Sequence, residues 1–157
     1  MNVLIKSNIP TFAEVDILVV GAGSAGCCAA LAARESKAHS VLLIERYGFA
    51  GGIPDRVVNA LDDVGAIFLR PNTYGAGTGV NYNPERLKLV WDELLEQAGV
   101  QTLLHTHLVD VETDASTHIT AAIIWTKRGF FKIKARRFID ASGDADLCAL
   151  ADIPSEK

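Results

Sequence analysis

Gly21-Ala-Gly-Ser-Ala-Gly26 and Glu45 are the residues of this chain whose types and spacing are best suited to chemistry. A G-x-G-x-x-G pattern also arises in ordinary loops, so its place in the chain carries the argument. It follows Asp16-Ile-Leu-Val-Val20, an apolar and β-branched run that reads as a buried parallel strand. It opens an alanine-rich helix, Ser24 to Lys37. In that setting Gly21 permits the tight turn, Gly23 lets backbone approach a pyrophosphate, and Gly26 lets helix pack closely on strand. The first free N–H groups of the helix, around Ser24 and Ala25, then face the phosphates, and the helix dipole favours their charge. Glu45 closes a second apolar run, Val41-Leu-Leu-Ile44, 19 residues beyond Gly26. A carboxylate there accepts hydrogen bonds from both ribose hydroxyls and repels a 2′-phosphate. The chemistry is dinucleotide binding, of FAD or NAD in preference to NADP.

The elements that position these residues form an α/β, Rossmann-like order. The strand, helix and second strand make a β-α-β unit of about thirty residues, enough for a right-handed crossover. Tyr47 to Asn83 is rich in glycine and reads as loop, with a short helix near Val57 to Leu61 and an apolar patch at Ala66 to Leu69. Order returns at Asn83, a helix cap followed by Pro84. Leu87, Val90, Trp91, Leu94, Leu95 and Ala98 then form one apolar stripe, and Gly99 ends the helix. Val100 to Leu104 reads as a strand. Leu108 to Glu112, Ile119 to Thr126 and Phe130 to Ala135 read as an antiparallel meander. A separate last strand, Arg137 to Ala141, runs into Ser142-Gly-Asp144 and a short helix.

Composition excludes several classes. The chain has 157 residues, enough for one domain with a core. A net charge of -4 predicts neither nucleic acid nor an anionic membrane as partner. Three cysteines, two adjacent, make no disulfide framework and no zinc spacing; they fit a reducing, cytoplasmic setting. Met1 to Ile9 is too short and polar for a signal-peptide core. Ile17 to Ala33 is nearly uncharged but falls short of the roughly 20 residues of a membrane span and holds three glycines.

A meander after the second β-α-β strand, in place of further crossovers, resembles the FAD domain of glutathione-reductase-like flavoproteins. Ala141-Ser-Gly-Asp144 is similar to their second nucleotide motif, written A-T-G or A-T-G-D. Ile44-Glu-Arg-Tyr-Gly-Phe-Ala-Gly-Gly52, Tyr82-Asn-Pro-Glu85 leading to His107, and Ile139 to Asp146 further resemble the FAD-dependent oxidoreductase family with an E-R-x-G-x-x-G-G segment. The likeness spans nearly the whole chain except about 53–80. It implies that Gly21, Gly23 and Gly26 contact the pyrophosphate, Glu45 the adenosine ribose, and Arg46 the adenine or its ribose. It implies that Gly51 and Gly52 lie near the phosphates, towards the flavin. The backbone at Leu108 and Val109 would meet the adenine edge, with Gly143 and Asp144 beside the dinucleotide. Family members continue into a substrate domain, then return with a strand and helix that complete the flavin site. The sequence stops at Lys157, so the expectation is a single FAD-binding domain over 1–157, truncated relative to the family. The ADP half of the site is then present, the isoalloxazine and substrate half is missing, and 53–81 is a shortened loop region.

Other residues invite weaker readings. His105 and His107 alternate on one strand, but no third ligand stands at a telling distance, so a polar strand face is preferred to a metal site. Cys27 and Cys28 lie in the first turn of the helix without C-x-x-C spacing, and read as packing. Gly75-Ala-Gly-Thr-Gly79 lacks the lysine of a phosphate loop. Asp140, Asp144 and Asp146 suggest a cation site; helix capping by Asp144 is preferred.

Three functions follow from these residues. The first is an FAD-dependent oxidoreductase acting on an unidentified small molecule, by itself or with a homo-oligomeric or second chain completing the flavin site. The second is a non-catalytic, truncated dinucleotide-binding or interaction module. The third is an NAD-dependent enzyme, against which the meander and the A-S-G-D segment count. No general base, nucleophile or substrate-binding arginine is assigned.

Overall fold

A computed structural model of the chain describes residues 8–52, 55–68, 81–116 and 118–154. The apolar run before the glycine motif is the end of β1 (Thr11–Val20), where Leu18 and Val19 are wholly buried. α1 (Ser24–Glu35) follows, then β2 (Val41–Ile44), buried along its whole length. After α2 (Asp55–Asp63), β3 (Ile67–Phe68) and β4 (Asn81–Tyr82) pair as a small antiparallel ribbon. α3 (Pro84–Gln97) leads to β5 (Gln101–Leu103). Next come β6 (His107–Thr113), β7 (Ile119–Thr126), β8 (Gly129–Asp140) and α4 (Asp146–Leu150).

Six strands form one sheet in the order β5-β2-β1-β8-β7-β6. β5, β2, β1 and β8 run parallel; β8, β7 and β6 form the antiparallel meander. This agrees with the expected α/β order, and no helix among the described residues is long and apolar enough to cross a membrane.

α1, α2 and α3 cover one face. Val19, Leu43, Cys27, Leu31, Val57, Leu61, Trp91 and Leu95 share that core. The other core holds Leu18, Leu42 and Ile44 together with Val111, Ala122, Ile124 and Leu147. Residues of β2 and β6, which stand apart in the strand order, meet there. The sheet must therefore curl so that the meander folds back over the parallel strands. Each large apolar side chain buried in this way contributes about 1.5–3 kcal/mol.

α3 begins and ends as its sequence predicts. Asn83 Oδ1 accepts from the N–H groups of Glu85 (3.0 Å) and Arg86 (3.2 Å), and Gly99 takes a φ of 73° after the last turn. Arg34 ties this end to α1, donating from Nε to Ala98 O (2.9 Å) and from Nη1 to Ala38 O (2.7 Å).

Three sequence expectations need correction. The last meander strand and the last parallel strand are one: β8 runs unbroken through Arg136 and Arg137. Arg136 and Arg137 are both exposed, and β1 offers a parallel partner from Lys132 to Asp140. β1 correspondingly starts at Thr11, five residues before the apolar run. The 53–81 segment is not all loop. The helix expected near Val57 is α2, which buries Val57 and Leu61, and Ile67 pairs with Tyr82. The glycines at 75–79 lie outside the described residues.

Candidate functional site

The carboxyl ends of β1, β2 and β8 lie side by side, and the loops leaving them build the site. Gly21 turns the chain out of β1 with a φ of 96°, while its N–H donates to Ile44 O at 2.9 Å. A Cβ on Gly21 would lie 2.8 Å from the carbonyl carbon of Ala141 and 2.9 Å from Ser142 Cα, so only glycine fits. A Cβ on Gly26 would run into Gly21 O and lie 3.3 Å from Ala141 Cβ. Gly26 thus sets the packing of helix against loop, as its spacing predicts. Gly23 is different, because a Cβ there would meet nothing within 4 Å. Its outer side is open.

α1 starts at this open side. Gly23 is its cap residue without a side-chain bond, and Cys27 N–H is bonded back to Gly23 O at 3.0 Å. The N–H groups of Ser24, Ala25 and Gly26 come before that bond and have no carbonyl within the helix. No acidic residue stands in the first turn. The helix start therefore presents donors and a positive dipole end to an anion.

Glu45 is buried at the end of β2, and both its oxygens hold backbone. Oε2 accepts from Ala22 N–H at 2.7 Å, and Oε1 from Tyr47 N–H at 2.9 Å. Each oxygen retains a lone pair for a further donor. The carboxylate thereby fixes the glycine loop and the lip of the site together. The loop after Glu45 folds back over the helix start. Gly51 N–H donates to Ala22 O (2.9 Å), and Trp91 Nε1 donates to Gly52 O (2.9 Å). Gly52 has a φ of 101°, and a Cβ there would lie 2.6 Å from Ser24 N. Gly51 and Gly52 thus sit beside Ser24.

A cleft of about 90 Å³ opens between these loops. Val20, Ile44 and Leu108 give it apolar surface; Glu45 and Arg46 stand on one wall, Ser142 and Asp146 on another, and Thr106 and His107 complete it. Thr106 is held by its N–H on Glu45 O (2.8 Å) and its hydroxyl on Leu104 O (3.0 Å). The Arg46 guanidinium stacks 5.2 Å from the Tyr47 ring centre. A larger hollow of about 380 Å³ lies between α3 and β5, where Asp92 and Glu96 stand without a cation among its lining residues. Two carboxylates there disfavour an anionic ligand, and it lies away from the glycine loop.

The structure brings Gly21, Glu45, Arg46 and Leu108 to one cleft, with Ser24, Ala25, Gly26, Gly51 and Gly52 clustered at the helix start. It does not bring Val109, Gly143 or Asp144 to that cleft. Val109 is skipped in the register between Leu108 and Asp110, a bulge that turns it outward. Gly143 and Asp144 are exposed beyond the loop. Asp144 is not the cap of α4; Ala145 occupies that position, with a φ of 57° and no side-chain bond. The capping work falls to Asp140. Its Oδ1 accepts from Ser142 Oγ (2.7 Å) and Ser142 N–H (3.1 Å), and its Oδ2 from Cys148 N–H (2.9 Å). Burial alone would push the Asp140 carboxyl up, but these bonds outweigh it and hold it below the ordinary range. Ser142 Oγ in turn accepts from Asp146 N–H at 2.9 Å.

Thr106, His107, Ser142 and Asp146 line the cleft without having been singled out for it. Ser142 and Asp146 stood in the Ile139 to Asp146 segment of the resemblance, and Thr106 and His107 in the one leading to His107, but no cofactor role was drawn from any of the four. His105 and His107 do not share a strand face: His105 sits in the turn before β6 with a φ of 52°, its ring against Gly48. Among the described residues no three His, Cys, Asp or Glu side chains could hold a metal ion. Cys27 packs as expected. Burial pushes its thiol up to about 12, and it donates to Ala22 O at 3.2 Å.

The chain matches the family model described as FAD dependent oxidoreductase over residues 16–54 and 51–157. No curated protein matches it. Among solved structures it is similar to a flavin-dependent brominase, with 17% identity and a TM-score of 0.67, over 88% of this chain and 41% of that one. It is similar to a geranylgeranyl bacteriochlorophyll reductase-like protein from Thermoplasma acidophilum, with 20% identity and a TM-score of 0.61, over 82% and 39%. It is also similar to a flavocytochrome c3 fumarate reductase, with 17% identity and a TM-score of 0.60, over 83% and 34%. At such identities the likeness is one of fold. The chain spans well under half the length of these three structures.

Proposed function

Because the chain belongs to the FAD dependent oxidoreductase family, we propose that its glycine loop, Glu45 and the adjoining cleft hold the ADP half of FAD for flavin redox chemistry on a small-molecule substrate. The observation that carries this is the 2.7 Å bond from Ala22 N–H to Glu45, which couples the phosphate-facing loop to the ribose-facing carboxylate. The site fits the group. Space is open outside Gly23, three helix-start N–H groups lack helical partners, and a buried carboxylate with spare lone pairs borders an apolar-floored cleft. When bound, the flavin supplies the electron transfer, and the protein supplies binding and orientation.

In this reading Gly23, Ser24 and Ala25 receive the pyrophosphate, and Gly26 acts by holding the helix start against Gly21. Glu45 accepts from the ribose hydroxyls through the lone pairs left by Ala22 and Tyr47. Gly51 and Gly52 border the pyrophosphate from the other side. Arg46 and Leu108 border the nucleoside. Gly143, Asp144 and Val109 have lesser roles, outside the cleft.

The substrate side and electron acceptor belong to the whole protein. We propose that a further segment or a second copy completes the flavin side. Its support is β8, which pairs with β7 only as far as Lys134, so that among the described residues β1 alone pairs with the strand beyond it. Three free cysteines support a reducing, cytoplasmic setting, and the net charge of -4 gives no reason to expect nucleic acid or a membrane surface as a partner.

The test is the visible absorption spectrum after adding FAD and removing the excess by gel filtration. A flavin band eluting with the protein, and lost in Glu45→Ala and Gly23→Phe, is expected. Equal flavin occupancy in the wild type and both variants would refute this placement.

A further inference from the structure

We infer that Asp146 is a second specificity-determining carboxylate of the nucleoside cleft, which acts with Glu45 to exclude ligands bearing a phosphate on the ribose. The inference rests on the dinucleotide reading above and adds a residue that neither the glycine motif nor the A-S-G-D segment assigns.

Glu45 and Asp146 come from different elements, the end of β2 and the start of α4, yet line the same small space of about 90 Å³. Two acidic residues on one lining add their fields, against the single guanidinium of Arg46 on the same lining. Neither is neutralised by an ion pair among the described residues. Arg46, the cation of the cleft, is drawn over the Tyr47 ring. The backbone of Asp146 is anchored by the bond from its N–H to Ser142 Oγ, and Ser142 is anchored by Asp140. Asp146 thus lines the cleft as an exposed residue whose backbone is held in place.

Anion attraction lies elsewhere in the site, at the start of α1. The two ends of the ligand are thus sorted by charge: pyrophosphate to the helix, neutral nucleoside to the acidic cleft. A phosphate on the ribose would carry about −1.5 to −2 charges into that cleft. Glu45 accounts for part of the repulsion. Asp146 makes it two-sided, so removing Glu45 alone leaves discrimination in place.

The experiment measures the affinities of ADP-ribose and ADP-ribose 2′-phosphate by calorimetry, at pH 8 and low salt. The proteins are the wild type, Asp146→Asn, Glu45→Gln and the double variant. The wild type is expected to prefer the unphosphorylated ligand. Asp146→Asn is expected to reduce that preference about tenfold while changing ADP-ribose affinity less than about twofold. The double variant is expected to lose more preference than either single one. An unchanged preference in Asp146→Asn, with ADP-ribose still bound, overturns the role of Asp146 and leaves the dinucleotide reading standing. Failure of the wild type to bind either ligand overturns that reading, and this inference with it. Asp146→Ser, which keeps a side chain suited to a helix start, gives the same test should the asparagine variant fold poorly.

Discussion

Gly23 and Gly26 have opposite structural roles, so the same small substitution should produce opposite signatures. In Gly26→Ala the new methyl meets Gly21 O, and the carbonyl carbon behind it lies at 2.9 Å. The obstacle is backbone, itself held by the Gly21 and Ala141 N–H bonds and by Glu45 on Ala22. It cannot swing aside as a side-chain tip would. Overpacking costs about 1–3 kcal/mol, and a rigid obstacle points to the upper end. The better helix propensity of alanine offsets about 1 kcal/mol. A net loss of about 2 kcal/mol lowers Tm by about 4–8 °C in a chain of this size. In Gly23→Ala the methyl meets no protein atom, and the φ of -72° suits alanine. Tm should fall by no more than about 4 °C, the cost of about 1 kcal/mol for a poorer cap, while FAD affinity falls about tenfold, or 1.4 kcal/mol. Thermal melts of both variants, paired with FAD titration, separate the two. A Gly26→Ala protein that melts within about 1 °C of the wild type would sink the argument that helix and loop are packed to contact.

Trp91→Phe removes the indole donor to Gly52 O and leaves a smaller ring in a fully buried site. It should cost about 1–3 kcal/mol for the unpaired carbonyl alone, read in a melt, and should loosen FAD through the Gly52 loop. Asp140 contributes a pH dependence. Its carboxyl is held below the ordinary range in the folded chain, so its stabilisation is present above the unfolded value of about 3.9 and fades as pH falls through the folded value. Melts between pH 6 and 3 should show a steeper acid loss in the wild type than in Asp140→Asn; parallel curves would contradict this. The Cys27 thiol, raised to about 12 by burial, should resist maleimide at pH 8 in the native protein and react only after denaturation, as peptide mapping by mass spectrometry would reveal.

The strand-loop-helix around Gly21 and the whole of α3 were legible in the sequence because local signals fix them. Three glycines, an apolar run, Asn83 and Gly99 each act within a few residues. Glu45 was legible through its distance from the motif. What was not legible depended on pairing across the chain. Thr11 to Val15 mix polar and apolar residues without a clean alternation, and only the distant Lys132 to Ala135 make them strand. The Asp140 clamp was hidden because its bond to Cys148 N–H spans eight residues and a turn set by Ala145 in the left-handed region. Asp146 and His107 line one cleft although they belong to distant elements, α4 and β6. The bulge at Val109 moved one expected contact residue outward while leaving its neighbour Leu108 in the cleft.

The unbroken course of β8 also dictates the order in which the chain can assemble. β1 lies between β2 and β8, and Val20 is paired with Asp140, 120 residues later. Closing such a loop costs about 4 kcal/mol of chain entropy before the contact contributes anything. During synthesis, at about 5–20 residues per second, β1 waits about 6–24 s for its second neighbour. Throughout that interval the apolar Ile17–Val20 edge is open on one side, a template for stray strand pairing. The nucleotide loop, which leaves β1 at Gly21 and is pressed by Ala141, cannot take its final shape until the same moment. Cofactor capture in this way waits for β8, so FAD present during synthesis should raise the yield of soluble protein.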